Sequence, residues 1–145
     1  MTILLTGSSR GIGAAIHAAL TDAGASVIGH GTASGIPADF SDHAGPTALW
    51  NAALEQAGGA IDVLIYNAGV FEAAPLADDD WTAQWERTMR INLTASAELC
   101  RLAVYCTGSR AVSVGGSSIS RAGRRIAGIR RRIGIMPRRR RGWWR

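Results

Sequence analysis

Thr6-Gly7-Ser8-Ser9-Arg10-Gly11-Ile12-Gly13 is the first stretch whose residue types and spacing suit a chemical task. Glycines at Gly-x-x-x-Gly-x-Gly spacing let the backbone turn sharply and keep side chains away from the main-chain amides. A helix starting inside such a turn points unpaired N–H groups and the positive end of its dipole outward, which suits a pyrophosphate. The spacing differs from the more common Gly-x-Gly-x-x-Gly turn. Glycine-rich turns also occur simply to let a helix pack on a strand. The position, after an apolar run and at the head of a helical pattern, favours the anion-binding reading.

The elements that must hold this turn can be read on either side of it. Thr2 to Thr6 is a short apolar run ending at Gly7, as expected of a buried first strand. Ile12, Ala15, Ile16, Ala19 and Leu20 recur at helical spacing up to the stop at Gly24. Ser26-Val27-Ile28 reads as a second strand and Ile36 to Phe40 as a short third one. His43 to Ala57 is helical and closes at Gly58-Gly59, and Ile61 to Tyr66 is a fourth strand, apolar on both faces. Trp81 to Val104 is one long helical stretch, and Ala111 to Val114 a fifth strand. Strands alternating with helices predict an α/β fold with a doubly wound parallel sheet.

A second motif, Asn67-Ala68-Gly69, directly follows the fourth strand. Together with the Thr-Gly-x-x-x-Gly-x-Gly turn, it resembles the short-chain dehydrogenase/reductase family. Further matches follow in order: Asp39-Phe40, Asn92 within Arg90-Ile91-Asn92-Leu93, and Ser117-Ser118-Ile119 after the fifth strand. The resemblance covers residues 1–119 and implies a Rossmann-like NAD(P)-binding portion that stops after about the fifth strand. It implies that Gly7, Gly11, Ile12 and Gly13 cradle the pyrophosphate, while Ser8, Ser9 and Arg10 line the adenosine side. Asp39, beside Phe40, would receive the adenine amino group, and Asn67, Ala68 and Gly69 would pass under the adenine ribose. Asn67 also suits a plain strand-ending turn. Asn92 would hold a water in the proton relay. Ser118 would orient the substrate, with Ser117 and Ser120 as neighbouring choices.

NAD enzymes usually place an acid at the end of the second strand, where this chain has Gly29-His30-Gly31. Arg10 stands where a basic residue could pair with a 2′-phosphate, although it also suits a solvated surface arginine. The expected cofactor is NADP, with NAD the alternative. The implied chemistry is hydride transfer between nicotinamide and a small carbonyl or alcohol substrate, in a family that is usually homo-oligomeric.

The family's active helix carries Tyr-x-x-x-Lys beyond the serine. The tyrosine moves the proton, and the lysine lowers its pKa. Here the tyrosines are Tyr66, in a strand, and Tyr105, before the serine, and the chain has no lysine. The expectation is an inactive chain. Its rival classes are a non-catalytic nucleotide-binding remnant and a basic binding module.

Charge divides the chain in two. Residues 1–120 hold all eleven acids against five arginines, whereas residues 121–145 hold eleven arginines and no acid. The segment 120–145 reads as an Arg-rich tail rather than a domain. Arginines interleaved with Trp143 and Trp144 suit nucleic acid or an anionic membrane, and a solvated end of no evolved purpose fits too. A third reading suits the composition better, namely out-of-frame translation of a GC-rich gene. Ile135 to Arg140 can be encoded so that a start two bases later reads Tyr-Ala-Ala-Ser-Lys. On that reading no specific nucleic-acid partner is expected.

The remaining composition excludes other classes. No run approaches a membrane span, and Met1 to Thr6 lacks a basic leader. Cys100 and Cys106 lie in one helical stretch, a poor geometry for a disulfide, and two free thiols suit a reducing cytoplasm. His17, His30 and His43 are scattered and suggest no metal site. Because the sheet's later strands are absent, the expected protein is marginally stable.

Overall fold

The computed structural model describes residues 1–31, 34–73, 75–106 and 113–115. Its elements are β1 (Thr2–Leu5), α1 (Gly11–Asp22), β2 (Ser26–Gly29), α2 (Gly45–Gln56), β3 (Val63–Ile65), α3 (Trp81–Met89), α4 (Ala95–Cys106) and β4 (Ser113–Gly115). The strands form a parallel sheet in the order β2-β1-β3-β4. The α/β reading stands.

The apolar run of β1 is buried because it lies inside this sheet with cover on both faces. Leu4 pairs in register with Ile28 and Leu64, so the three share one face. They join Leu49, Trp50 and Ala53 of α2 and Leu99 and Ala103 of α4 in the main core. Ile3 and Leu5 point the opposite way and are also buried. The helix α1 packs along β2, yet less of its predicted stripe is buried than expected. Ile12, Ala15 and Ala19 are exposed, and Ile16 and Leu20 are half-buried.

Two predicted elements need correction. Ile36–Phe40 forms no strand; Ile36 makes a single bridge to His30, its N–H donating to Gly29 O at 2.8 Å. Pro37 has no N–H to extend a ladder, and the segment instead carries Phe40 into the core. The long helix Trp81–Val104 is interrupted by a π-helical turn, Arg90–Thr94, before running on to Cys106. Such wide turns shift main-chain groups out of the regular ladder and recur at functional sites. Here the Ile91 carbonyl accepts a hydrogen bond from the Tyr66 hydroxyl. Arg90, buried at the head of the turn, forms a two-pronged ion pair with Glu98 at 2.9 and 3.0 Å and donates to Asp42 O at 3.3 Å.

Other boundaries shift by a residue or two: α2 starts at Gly45 and β3 spans Val63–Ile65. Ala111 and Val112 of the predicted fifth strand lie outside the described residues, as do Ser117, Ser118, Ser120 and the tail.

Register fixes where the chemistry sits. Leu5 aligns with Gly29 and Ile65, so Thr6, His30 and Tyr66 leave the sheet together at its carboxyl edge. The chain passes from β2 across to β3 on opposite sides of β1, which makes this edge the topological switch point where open α/β sheets bind ligands. Among the described residues, β4 has a strand neighbour on one side only, and Phe71, Leu76 and Tyr105 are exposed. Thermal unfolding is therefore expected below about 60 °C, within the range of mesophilic domains. A sharp calorimetric transition well above it would show that the sheet needs no further cover.

Candidate functional site

The glycine turn is built against the segment that follows β3. The Thr6 hydroxyl oxygen accepts from the Asn67 and Ala68 N–H groups at 3.0 and 3.1 Å. Asn67 Nδ2 donates to Gly7 O at 3.0 Å. This closeness dictates two of the glycines. A Cβ on Gly7, at φ 65°, would lie 2.8 Å from Ala68 Cα. On Gly13 it would lie 1.9 Å from Gly7 O and 2.6 Å from Asn67 Nδ2. Gly7 and Gly13 thus serve the packing of turn against turn. Gly11 differs, since a Cβ there would meet nothing within 4 Å. The helix α1 behind it has no side-chain cap and no acid in its first turn. Its positive end is open to an anion.

Ser8 ties the turn to the end of β2. It is buried, and its N–H and hydroxyl both donate to His30 O, at 2.8 and 3.2 Å. With Ser9 it borders a neighbouring cleft beside Gly29, and Ser9 and Arg10 line the cleft above the turn.

The opposite wall comes from the segment after β2. Asp39 and Phe40 both border the cleft. The Asp39 carboxylate accepts from the Ser41 hydroxyl at 2.7 Å and the Ser41 N–H at 2.8 Å. Those bonds, aided by the charge of Arg87, hold its pKa below the ordinary carboxylate value. Phe40 stacks on His30, with ring centroids 4.5 Å apart, and on Tyr66 at 5.8 Å. Burial pushes the Tyr66 phenol up to about 12.

Asn92, in the π-helical turn, faces the loop after Asn67-Ala68-Gly69. Its Oδ1 accepts from Val70 N–H at 2.9 Å, and its Nδ2 donates to Val70 O at 2.8 Å. A Cβ on Gly69 would come 3.3 Å from Asn92 Oδ1, a tight contact that a shift of a few tenths of an ångström would relieve. Arg87 borders the same cleft and pairs with Glu72.

The structure thus brings Gly7, Ser9, Arg10, Gly11, Ile12 and Gly13 together with Asp39, Phe40 and Asn67 to Gly69 around a cleft of about 510 Å³. Arg87 and His30 border it too and were not foreseen. Arg87 gave no signal beyond its charge. His30 had one: it is the first residue past β2, at the carboxyl edge of the sheet.

A family model described as short chain dehydrogenase matches residues 1–118. The chain belongs to the short-chain dehydrogenase/reductase family. It is similar to 3beta-hydroxysteroid dehydrogenase 1 of Eggerthella lenta, 30% identical over 122 residues, covering 71% of this chain and 46% of that one. The crystal structure of 3-alpha-hydroxysteroid dehydrogenase from Pseudomonas sp. B-0831 complexed with NADH is 31% identical, with TM-score 0.57, covering 70% of this chain and 39% of that one. A blue fluorescent protein from a metagenomic library, solved in complex with NADPH, is 31% identical with TM-score 0.62, covering 69% and 48%. The chain spans about half the length of the curated relatives it matches.

Among the described residues, no group of three metal-ligating side chains lies together, and no helix is long and apolar enough to cross a membrane.

Proposed function

We propose that this chain binds a nicotinamide dinucleotide, NADP before NAD, in the cleft at the carboxyl edge of the sheet, and performs no turnover by itself. The observation that carries the reading is Gly11, whose missing side chain leaves open space in front of an uncapped α1 N-terminus. The pyrophosphate would rest on the amides of Gly11, Ile12 and Gly13. Phe40 and Asp39 would face the adenine, and Arg10 would meet a 2′-phosphate. Asn67, Ala68 and Gly69 would support the ribose.

When bound, the nicotinamide supplies or accepts a hydride to or from a carbonyl or alcohol. Asn92 would hold a water in the proton relay of the whole protein. Its bonds to both main-chain groups of Val70, a residue that borders the cleft, support that placement. Ser118 would take the substrate-orienting role. Small carbonyl or alcohol substrates and a homo-oligomeric state are proposed for the whole protein, and a cytoplasmic location fits the free Cys100.

Calorimetry with NADP+ tests this reading: saturable binding at one site per chain, retained at 0.5 M salt, is the expected result. Salt matters because eleven arginines in residues 121–145 will collect any phosphate at low ionic strength. Binding that vanishes at high salt would defeat it.

The same tail motivates a second expectation. Affinity for DNA or RNA will be non-specific, will fall steeply with salt and will disappear when residues 121–145 are removed. Filter binding with two unrelated sequences checks this. Sequence preference that persists at high salt would instead show an evolved nucleic-acid role.

A further inference from the structure

At the end of β2, where a side chain could reach a bound ribose, His30 is folded inward and 5% exposed. Its Nδ1 accepts from the Gly7 N–H at 3.3 Å, so Nδ1 carries no proton. The other nitrogen, Nε2, lies 3.1 Å from Ala38 O and must then be the protonated one, donating to that carbonyl. The face of the ring stacks on Phe40. One neutral imidazole thus ties the first glycine of the phosphate turn to the segment that bears Asp39 and Phe40.

We infer that His30 is a positioning residue of the dinucleotide cleft, holding turn and adenine-side wall together as a neutral imidazole, and that its protonation unties them and weakens dinucleotide binding. The inference rests on the proposed nucleotide site. Protonation would put a hydrogen on Nδ1 opposite the Gly7 N–H, donor against donor, so one must move. Gly7 sits at φ 65° and its carbonyl is held by Asn67, so a shift there reaches Asn67 as well. Among the described residues, no charged side chain is hydrogen-bonded to the ring to reward the imidazolium. The ionisable groups around it, among the described residues, are Arg10 on the turn, His17 on α1, Asp39 on the wall, Tyr66 beyond Phe40 and Arg87 of α3 on the same cleft, and none is hydrogen-bonded to the ring. Burial accordingly holds the pKa of His30 below its ordinary 6.5. A positive ring would also attract an anionic ligand. That attraction acts at every orientation of the turn, whereas the amides bind a pyrophosphate only when correctly placed, so loss of placement governs.

Because folded His30 resists protonation, stability is full above pH 6.5 and declines as the pH falls from there through the lower folded value. Each affinity must therefore be measured on protein shown to be folded at that pH.

The test is NADP+ calorimetry on the full chain from pH 7.5 to 5.0, with His30→Asn and His30→Ala. Asn can keep an acceptor toward Gly7 N–H but cannot ionise in this range. At pH 7.5, His30→Ala is expected to bind about tenfold more weakly than wild type, and His30→Asn within about threefold. Wild-type affinity is expected to fall at least about threefold more than that of His30→Asn between pH 7.5 and 5.0. Ionisation of the 2′-phosphate affects both proteins and cancels in the comparison. Parallel pH profiles, or a wild-type affinity that rises relative to His30→Asn, would overturn the inference, as would an alanine variant that binds like wild type. Should the alanine variant not fold, the two pH profiles decide alone. Absence of wild-type binding at pH 7.5 would instead remove the nucleotide site itself, and this inference with it.

Discussion

Given NADPH and an unhindered ketone, the purified chain will oxidise no NADPH above the uncatalysed rate. A positioned acid or base contributes typically 10² to 10⁴ to such a rate, and the group that the family uses for it has no counterpart here. Tyr66 is committed to the Ile91 carbonyl, and burial raises its pKa to about 12, the wrong direction for a proton donor near neutrality. Tyr105 is 78% exposed on α4 and is not among the residues that border the cleft. No lysine is present to lower either phenol. A spectrophotometric assay at 340 nm with several ketones and alcohols checks the expectation. Steady turnover that disappears in Asn92→Ala would show that another group moves the proton.

The second large effect is expected at Gly13. A single methyl group there meets Gly7 O at 1.9 Å and Asn67 Nδ2 at 2.6 Å, and the first of these is backbone. Relief requires the turn and the Asn67 segment to separate, breaking the Asn67–Gly7 bond and straining the two that Thr6 accepts. Gly13→Ala should therefore destabilise by about 3 kcal/mol, the upper end for overpacking a close contact. Nucleotide binding should be lost with it. Gly11→Ala makes a sharp contrast. Its Cβ has room, so the fold loses only the roughly 1–2 kcal/mol of a left-handed conformation at φ 56°. The new methyl group stands where the pyrophosphate is proposed to lie, so affinity should suffer more than stability. Urea unfolding and NADP+ titration of the two variants separate the effects. Equal stability losses would mean that the crowding at Gly13 relaxes easily.

Much of this architecture could be read from apolar patterning. Buried parallel strands are apolar on both faces, and β1 and β3 announce themselves in that way. The same rule misled at Ile36–Phe40, where Phe40 is buried and Ile36 half-buried by a loop that Pro37 keeps out of the ladder. Periodicity also passed smoothly through Arg90–Thr94, because one wide turn barely disturbs a helical stripe. At the site, the glycine spacing and Asn67-Ala68-Gly69 pointed to the right edge of the sheet, since close approach of backbones demands those residues. His30 was missed because its role depends on Gly7 and Ala38, which lie 23 and 8 residues away in sequence.

A dinucleotide is expected in the cleft between Gly11 and Phe40 and not on the arginine tail. The most direct measurement is NADP+ titration of the isotope-labelled chain at 0.5 M salt, followed by amide chemical shifts. Saturable shifts at Gly7 to Gly13, at Asp39 and Phe40 and at Asn67 to Gly69 are predicted, with residues 121–145 unmoved. Shifts confined to the tail, or none that saturate, would show that the cleft holds no dinucleotide.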